Sequence, residues 1–591
     1  AVVDEALALG ARGFLGITAG VPDEAAIARR ITDAGARLVG MNSLGIYDSS
    51  TELRLAWGDF TPGPIAVISQ SGQLGSEIAN LAARAGLGVS RFVSIGNQSD
   101  VRAGELLGDL IADGTTRVVA LYLESFSAGE HLIDTLTRLR GAGKHTVLLT
   151  VGGSEASTRL ARSHTGSLTS NLDVVDAAAR AAGAVRVNTP SELVDVARLL
   201  LASALPMGDR VAIVGDSGGQ TGIAADVAAA ATLRVPAFSD ELQHILAQLL
   251  PNGAACSNPV DLAGAGEKDL ASYADVISVL MRSDEVDSVV LTGYFGSYGV
   301  QTPSLVDREL QIVDDMGVSV IAAGKPLLVH TMADANQATD AMWKHAIPVY
   351  PNIETAIRAL VDAHRLARAG RPLATPAPRA DPVGAGYLAA QKVLTQAGIQ
   401  FPRGIAVRRR EDLATAGEQL TAPYVLKASW LEHKSEVGGV RVGLADLDSL
   451  TEAFDTMYSS LGPGDYVVEE LDARRHTVEM LVGARRDPDL GPIVVVGAGG
   501  TEAEVYRDVT VEMAPVDTET ALNMLGRLAC APLLRGWRGR PAVDVDALAD
   551  AVAAVSEVAA SHPHISEIDV NPVRVSPDGA LAVDALIVED L

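Results

Sequence analysis

Over its first 370 residues the chain alternates short Val/Ile/Leu runs with Ala-rich stretches of helical length, and this rhythm constrains the fold most. The runs include Ile65-Ala66-Val67-Ile68, Val118-Val119-Ala120-Leu121-Tyr122-Leu123, Thr146-Val147-Leu148-Leu149-Thr150, Val211-Ala212-Ile213-Val214 and Ser288-Val289-Val290-Leu291. A strand apolar at nearly every position is buried on both faces, and a helix between two such strands makes a parallel crossover. The expected class is therefore α/β, with parallel sheets covered by helices on both sides. The 591 residues are too many for one hydrophobic core and imply several domains. Arg371-Pro372-Leu373-Ala374-Thr375-Pro376-Ala377-Pro378 can be neither helix nor central strand, and reads as a linker. Beyond it glycines gather at strand ends and charges alternate along strands, as in Tyr466-Val467-Val468-Glu469-Glu470, which suits antiparallel hairpins.

The first part also repeats itself. A shift of 146 residues lays Ala66 on Ala212, Val67 on Ile213, Ile68 on Val214, Ser71 on Ser217 and Gly72 on Gly218. Each copy reads strand, Ser-Gly turn, Ala-rich helix. Such a turn can be an ordinary strand-to-helix connection of a doubly wound fold. It can equally hold an anion, because the serine caps the helix while free N–H groups and the helix dipole face outward. Two copies in one chain favour phosphate chemistry, with Ser71, Gly72, Gly218 and Gly219 as the candidate residues.

Charge narrows the partners. A formal net charge of −27 argues against nucleic-acid backbones and anionic membranes. Two cysteines far apart, Cys256 and Cys530, make neither a disulfide framework nor a thiolate metal site. No apolar run reaches the roughly 18 residues of a membrane span, and a cytoplasmic setting is expected.

Several motifs carry chemistry. Gly215-Asp216-Ser217-Gly218-Gly219 resembles a hydrolase nucleophile turn, but its match to the first copy explains it more simply, with Ser217 a helix cap. No Walker A loop is present, so ATP would need another fold. His164 lies in Arg159-Leu160-Ala161-Arg162-Ser163-His164-Thr165-Gly166-Ser167-Leu168, a polar loop between a strand ending near Val151 and a helix starting near Leu172. Arginines and hydroxyls suit phosphate oxygens, and a neutral imidazole can accept and donate a phosphoryl group. Lys427, before a Gly-rich hairpin, is a candidate phosphate clamp. Asn571 in Asp569-Val570-Asn571-Pro572 and Asp584 in Ala582-Val583-Asp584 could offer oxygen ligands to one Mg²⁺, or could be polar strand ends facing solvent.

Together these segments resemble the ADP-forming (NDP-forming) acyl-CoA synthetases, relatives of succinyl-CoA synthetase. The marks are Ser163-His164-Thr165-Gly166-Ser167-Leu168, Ser94-Ile95-Gly96-Asn97, Asn258-Pro259-Val260-Asp261, His433-Lys434-Ser435 with Val437-Gly438-Gly439-Val440, Leu534-Arg535-Gly536 and Asp569-Val570-Asn571-Pro572. The resemblance implies the second half of a CoA-binding Rossmann-like domain (1–61), whose first part is missing, and two flavodoxin-like ligase domains (62–205 and 206–370). A linker (371–383) and an ATP-grasp domain (384–591) would follow. It further implies that His164 carries a phosphoryl group between two sites, with Glu124 orienting it at one and Asp569 a second acidic partner at the other. Lys427 with Glu469, Glu470 and Leu471 would hold ATP or ADP, Asn571 and Asp584 the magnesium, and Asn42 coenzyme A. In relatives Pro-Asn usually stands where this chain has Met41-Asn42.

The expected reaction is acid + ATP + CoA to acyl-CoA + ADP + phosphate, in a possible homodimer. A related class, the effector-sensing modules of protein acetyltransferases, often lacks the histidine that this chain has. Aromatic residues, 4% of the chain, look scattered along the sequence and point to no particular acid.

Overall fold

The computed structural model describes residues 2–126, 129–154, 156–157, 171–370, 373–432, 434–500 and 508–590. They fall into two compact units. The first takes in the described residues up to 370 except 129–130 and 171–178, which group with 373–590 in the second.

The first unit opens on a small parallel pair, Gly13–Gly16 beside Arg37–Gly40, joined by the helix Glu24–Asp33. Ala28, Ile31, Ala36 and Leu38 make its small core. A seven-stranded sheet follows, ordered Leu53–Arg54, Ile46–Asp48, Val89–Ser94, Pro62–Ser69, Val118–Leu123, His145–Thr150 and Ala184–Val187. Its last five strands are parallel, and in chain order they run 2-1-3-4-5. Val118–Leu123 is buried along its whole length, which accounts for its unbroken apolar sequence.

The second sheet has five parallel strands: Val260–Asp261, Val211–Gly215, Ser288–Gly293, Leu327–Thr331 and Val349–Tyr350. Their chain order is again 2-1-3-4-5, the flavodoxin order. The registers also correspond: Ser69 stands opposite Tyr122 in one sheet, and Gly215 opposite Thr292 in the other. The sequence repeat is thus a repeat of topology. The two antiparallel edge strands, Ile46–Asp48 and Leu53–Arg54, belong to the seven-stranded sheet, so a division at residue 61 separates strands that share one ladder.

The second unit is built on two antiparallel sheets. One is ordered Gly404–Val407, Tyr466–Glu470, Tyr424–Ala428, Val440–Leu444. The other runs Val509–Met513, Gly491–Ala498, Val478–Asp487, Ile565–Ser576, Gly579–Ala582, with Leu586–Glu589 also paired to Ile565–Ser576. The helix Val545–Ser561 packs on this second sheet through Leu548, Val552 and Val555, while alternate strand residues such as Met480, Val482, Ile568 and Val570 complete the core. Residues 373–382 have no regular structure and are mostly exposed. Among the described residues no helix is long and apolar enough to cross a membrane.

Candidate active site

Both Ser-Gly turns lie at the carboxyl end of the first of the five parallel strands of their sheet, where the strand order reverses. In open α/β sheets this crevice is where ligands bind. Each opens a 13-residue helix, Gly72–Arg84 and Gly218–Ala230, whose first N–H groups have no partner within the helix. The two turns differ in detail. Ser71 caps its helix by accepting from the Leu74 N–H at 3.4 Å. Ser217 sits at the N-cap but its side chain makes no cap bond, so the expected capping role does not hold there. Ser217, Gly218 and Gly219 are exposed, and among the described residues no histidine bonds the Ser217 hydroxyl. Gly72 is held to glycine by packing: a Cβ there would lie 2.5 Å from Leu44 Cβ. At Gly218 it would lie 2.9 Å from the Asp261 carboxylate.

Glu124 follows the Val118–Leu123 strand and accepts from the Tyr122 hydroxyl at 3.1 Å. Its position is set by Gln70, a residue that no motif singles out. The buried Gln70 side chain accepts from the Glu124 and Ser125 N–H groups and donates to Ser125 Oγ. The Ser-Gly turn and the Glu124 loop are thereby locked together. Burial first, and then the Glu124 charge, push the Tyr122 phenol well above its ordinary range. In the second sheet Asp216 takes the place of Gln70. It accepts from Tyr273 at 2.9 Å and Tyr298 at 3.3 Å, and Tyr273 also contacts the Phe295 ring. Aromatic side chains scattered in sequence are therefore gathered at this turn. Burial, with Asp216 second, raises the Tyr273 phenol far above its usual value. His164 and the rest of its motif, Ser163 to Leu168, lie outside the described residues, as does His433.

Asn42 is exposed, at φ 60°, in the loop after the small parallel pair. Its amide lies 3.5 Å from Asn97 Oδ1, and the Asn97 N–H donates to the Met41 carbonyl at 2.9 Å. Gly96 permits this approach, since a Cβ there would fall 1.9 Å from the Met41 oxygen. The Ser94-Ile95-Gly96-Asn97 motif therefore shapes the Asn42 loop.

In the second unit Lys427 and Glu469 are buried and ion-paired at 2.5 Å. Lys427 also donates to the Val583 carbonyl, and the buried Tyr387 hydroxyl donates to the other Glu469 oxygen. Burial and the Glu469 charge drive the Tyr387 phenol far upward. Lys427 and Glu469 are thus engaged with each other. Glu470 accepts from the Thr421 N–H at 2.9 Å, and the Leu471 N–H donates to the Pro423 carbonyl at 2.9 Å. Asp472, next in sequence, is clamped by Arg474 and Arg574, which fixes the path of the segment.

Asn571 and Asp584 are neighbours across adjoining chain segments, because the Val583 N–H donates to the Pro572 carbonyl at 3.1 Å. Asn571 lies where Ile565–Ser576 shifts register against Met480–Val482, and a bulge of this kind re-aims a side chain. Its Oδ1 is buried and without a hydrogen-bond partner. A buried oxygen without a partner, on a segment hydrogen-bonded to the one that carries Asp584, fits a hard divalent cation such as Mg²⁺. Asp569, half-buried and opposite Gly483, stands two residues before Asn571 on the same strand. Among the described residues no group of three His, Cys, Asp or Glu side chains could hold a metal by itself. Lys434, in the family motif but not singled out, places its Nζ 2.7 and 2.9 Å from the two Asp584 oxygens.

Comparison with known proteins agrees with this architecture. Residues 62–200 match the succinyl-CoA ligase like flavodoxin domain, 211–374 the ligase-CoA domain and 386–588 the ATP-grasp domain. Trans-feruloyl-CoA synthase FCS1 from an unknown prokaryotic organism is 29% identical over 96% of this chain and 83% of its own length. The alpha subunit of ADP-forming acetate–CoA ligase I of Pyrococcus furiosus is 32% identical, over 55% of this chain and 69% of the subunit. Its beta subunit is 34% identical, over 34% of this chain and 89% of the subunit. In fold, the chain is similar to the Ca. Korarchaeum cryptofilum dinucleotide forming acetyl-coenzyme A synthetase 1 solved with phosphate and ADP. The TM-score is 0.54 at 24% identity, covering 62% of this chain and 80% of that one. With these three domains matched and both Pyrococcus furiosus subunits above 30% identity, the chain belongs to the ADP-forming acyl-CoA synthetases.

Proposed function

We propose that this protein is an acid–thiol ligase that makes acyl-CoA from a carboxylic acid, CoA and ATP, releasing ADP and phosphate. The observation that carries the proposal is the doubled phosphate turn, placed at the switch point of each of two flavodoxin-ordered sheets.

His164 accepts the γ-phosphoryl group of ATP, and the resulting phosphohistidine passes it to the carboxylate of the acid. The acyl phosphate so formed loses phosphate when the CoA thiol attacks its carbonyl carbon. Dividing acid activation in this way lets each transfer rest on positioning and charge stabilisation. The N-termini of Gly72–Arg84 and Gly218–Ala230 stabilise the phosphoryl charge, and Glu124, fixed by Gln70, orients the imidazole. Asp569 is the second acidic partner at the nucleotide site. Lys427 and the Glu469-Glu470-Leu471 segment line the nucleotide site, and Asn42 lies on the CoA side. Asn571 and Asp584 would hold Mg²⁺, which supplies charge neutralisation at the nucleotide phosphates.

The test is labelling with ATP carrying a radioactive γ-phosphate. Acid-labile, base-stable label should appear on the wild type, be discharged by acid plus CoA, and be absent from His164→Ala. Label persisting in that variant overturns the assignment of His164.

A further inference from the structure

Asp584 is already engaged within the protein. Lys434, only 3% exposed, presents its ammonium to both carboxylate oxygens, at 2.7 and 2.9 Å, and the Ala585 N–H donates to Oδ1 at 2.9 Å. The ammonium also lies 5.3 Å from the centre of the Tyr387 ring. Lys434 precedes the hairpin glycines, and its backbone carbonyl accepts from the Gly439 N–H at 2.6 Å, which ties the lysine to that turn. A second ammonium, that of Lys427, sits on the carbonyl of Val583, one residue away. Asn571 Oδ1, on the segment whose Pro572 carbonyl bonds the Val583 N–H, is buried without a partner.

Two cations cannot share one carboxylate cheaply. A bare divalent ion approaching Asp584 would meet the Lys434 charge within about 3–4 Å, where like charges in a partly buried setting repel strongly. A nucleotide changes the balance, because its phosphates bring negative charge that draws the ammonium away and joins the carboxylate around the ion.

We infer that Lys434 is a placeholder counter-ion: it fills the Asp584 end of the cation site until nucleotide arrives, so that metal and nucleotide bind as mutually dependent ligands. This rests on the assignment of Asn571 and Asp584 to the cation in the proposed function. By linkage the coupling is reciprocal, so the factor by which ADP tightens metal binding equals the factor by which metal tightens ADP.

The probe is Mn²⁺, its free concentration read by electron paramagnetic resonance on the full chain, with and without ADP. The wild type should bind Mn²⁺ poorly alone and at least tenfold more tightly with ADP. Lys434→Met should bind Mn²⁺ alone at least tenfold more tightly than wild type, with the ADP-dependent gain largely lost, whereas Lys434→Arg should keep the wild-type coupling. Lys434→Met binding Mn²⁺ alone within twofold of wild type overturns the inference. So does an undiminished ADP-dependent gain in that variant. Asp584→Asn serves as the separate control: if it leaves Mn²⁺ binding with ADP unchanged, the cation-site assignment itself fails. Should Lys434→Met not fold, as circular dichroism would show, Lys434→Gln replaces it under the same criteria.

Discussion

Lys427 and Glu469 come from neighbouring antiparallel strands in which Val425 pairs with Glu469, so the lysine lies diagonally across from the glutamate on the same face. With Tyr387 they form a closed buried set in which every charge has a partner. Removing one member strands another in low dielectric. Glu469→Ala should therefore lower stability by about 3–5 kcal/mol, read as a fall in the melting temperature of the second unit. The apolar triple Lys427→Met/Glu469→Leu/Tyr387→Phe should recover most of that loss. If Glu469→Ala melts like wild type, the ion pair carries no such weight. The sequence showed Lys427 as a candidate because it stands before a Gly-rich hairpin, and Glu469 only through the family resemblance. It held no sign that they face each other, since 42 residues separate them. The same blindness hid Lys434, whose partner lies 150 residues away, and Gln70, whose role is visible only once two parallel strands are laid side by side.

Helix pairing carries its own titration. Pro190–Ala202 and Ile353–Arg368 pack together in the first unit, and Arg358 of the second helix reaches Glu192 of the first at 3.0 Å. Between them lie Asp195 and Asp362, whose carboxyls are raised to about 6, chiefly by burial. Arg198 and Arg358 oppose the shift at Asp195, Arg365 and Arg358 at Asp362, and Glu192 reinforces both. An acid with a raised native pKa holds its proton in the folded state where the unfolded chain has lost it. Its contribution is thus present at low pH, declines as pH rises from about 4 to about 6, and is absent above. Asp362→Asn should remove its share of this slope, gaining on the order of 1–3 kcal/mol over wild type between pH 4.5 and pH 8. Denaturant unfolding at the two pH values reads it, and a pH-independent difference would refute the burial argument. Helices and central strands of this kind were legible because burial on both faces writes itself as unbroken apolar sequence. Ile46–Asp48 and Leu53–Arg54 were not, being three and two residues long and too short for any period to register.

Of the two units, the second takes in 373–590 besides the short segments 129–130 and 171–178, and 373–382 are mostly exposed and without regular structure. Brief trypsin treatment should cut first after Arg379, giving fragments 1–379 and 380–591 by mass. First cleavage inside either core would contradict that division. The linker was readable because four prolines within 372–382 forbid helix and central strand alike. The sharing of one sheet by residues on both sides of 61 was not, since strand pairing leaves no local mark. These two junctions carry opposite consequences for how such a gene may be rearranged. Fission near residue 61 would tear edge strands from their ladder, whereas fission at 373–382 severs no sheet.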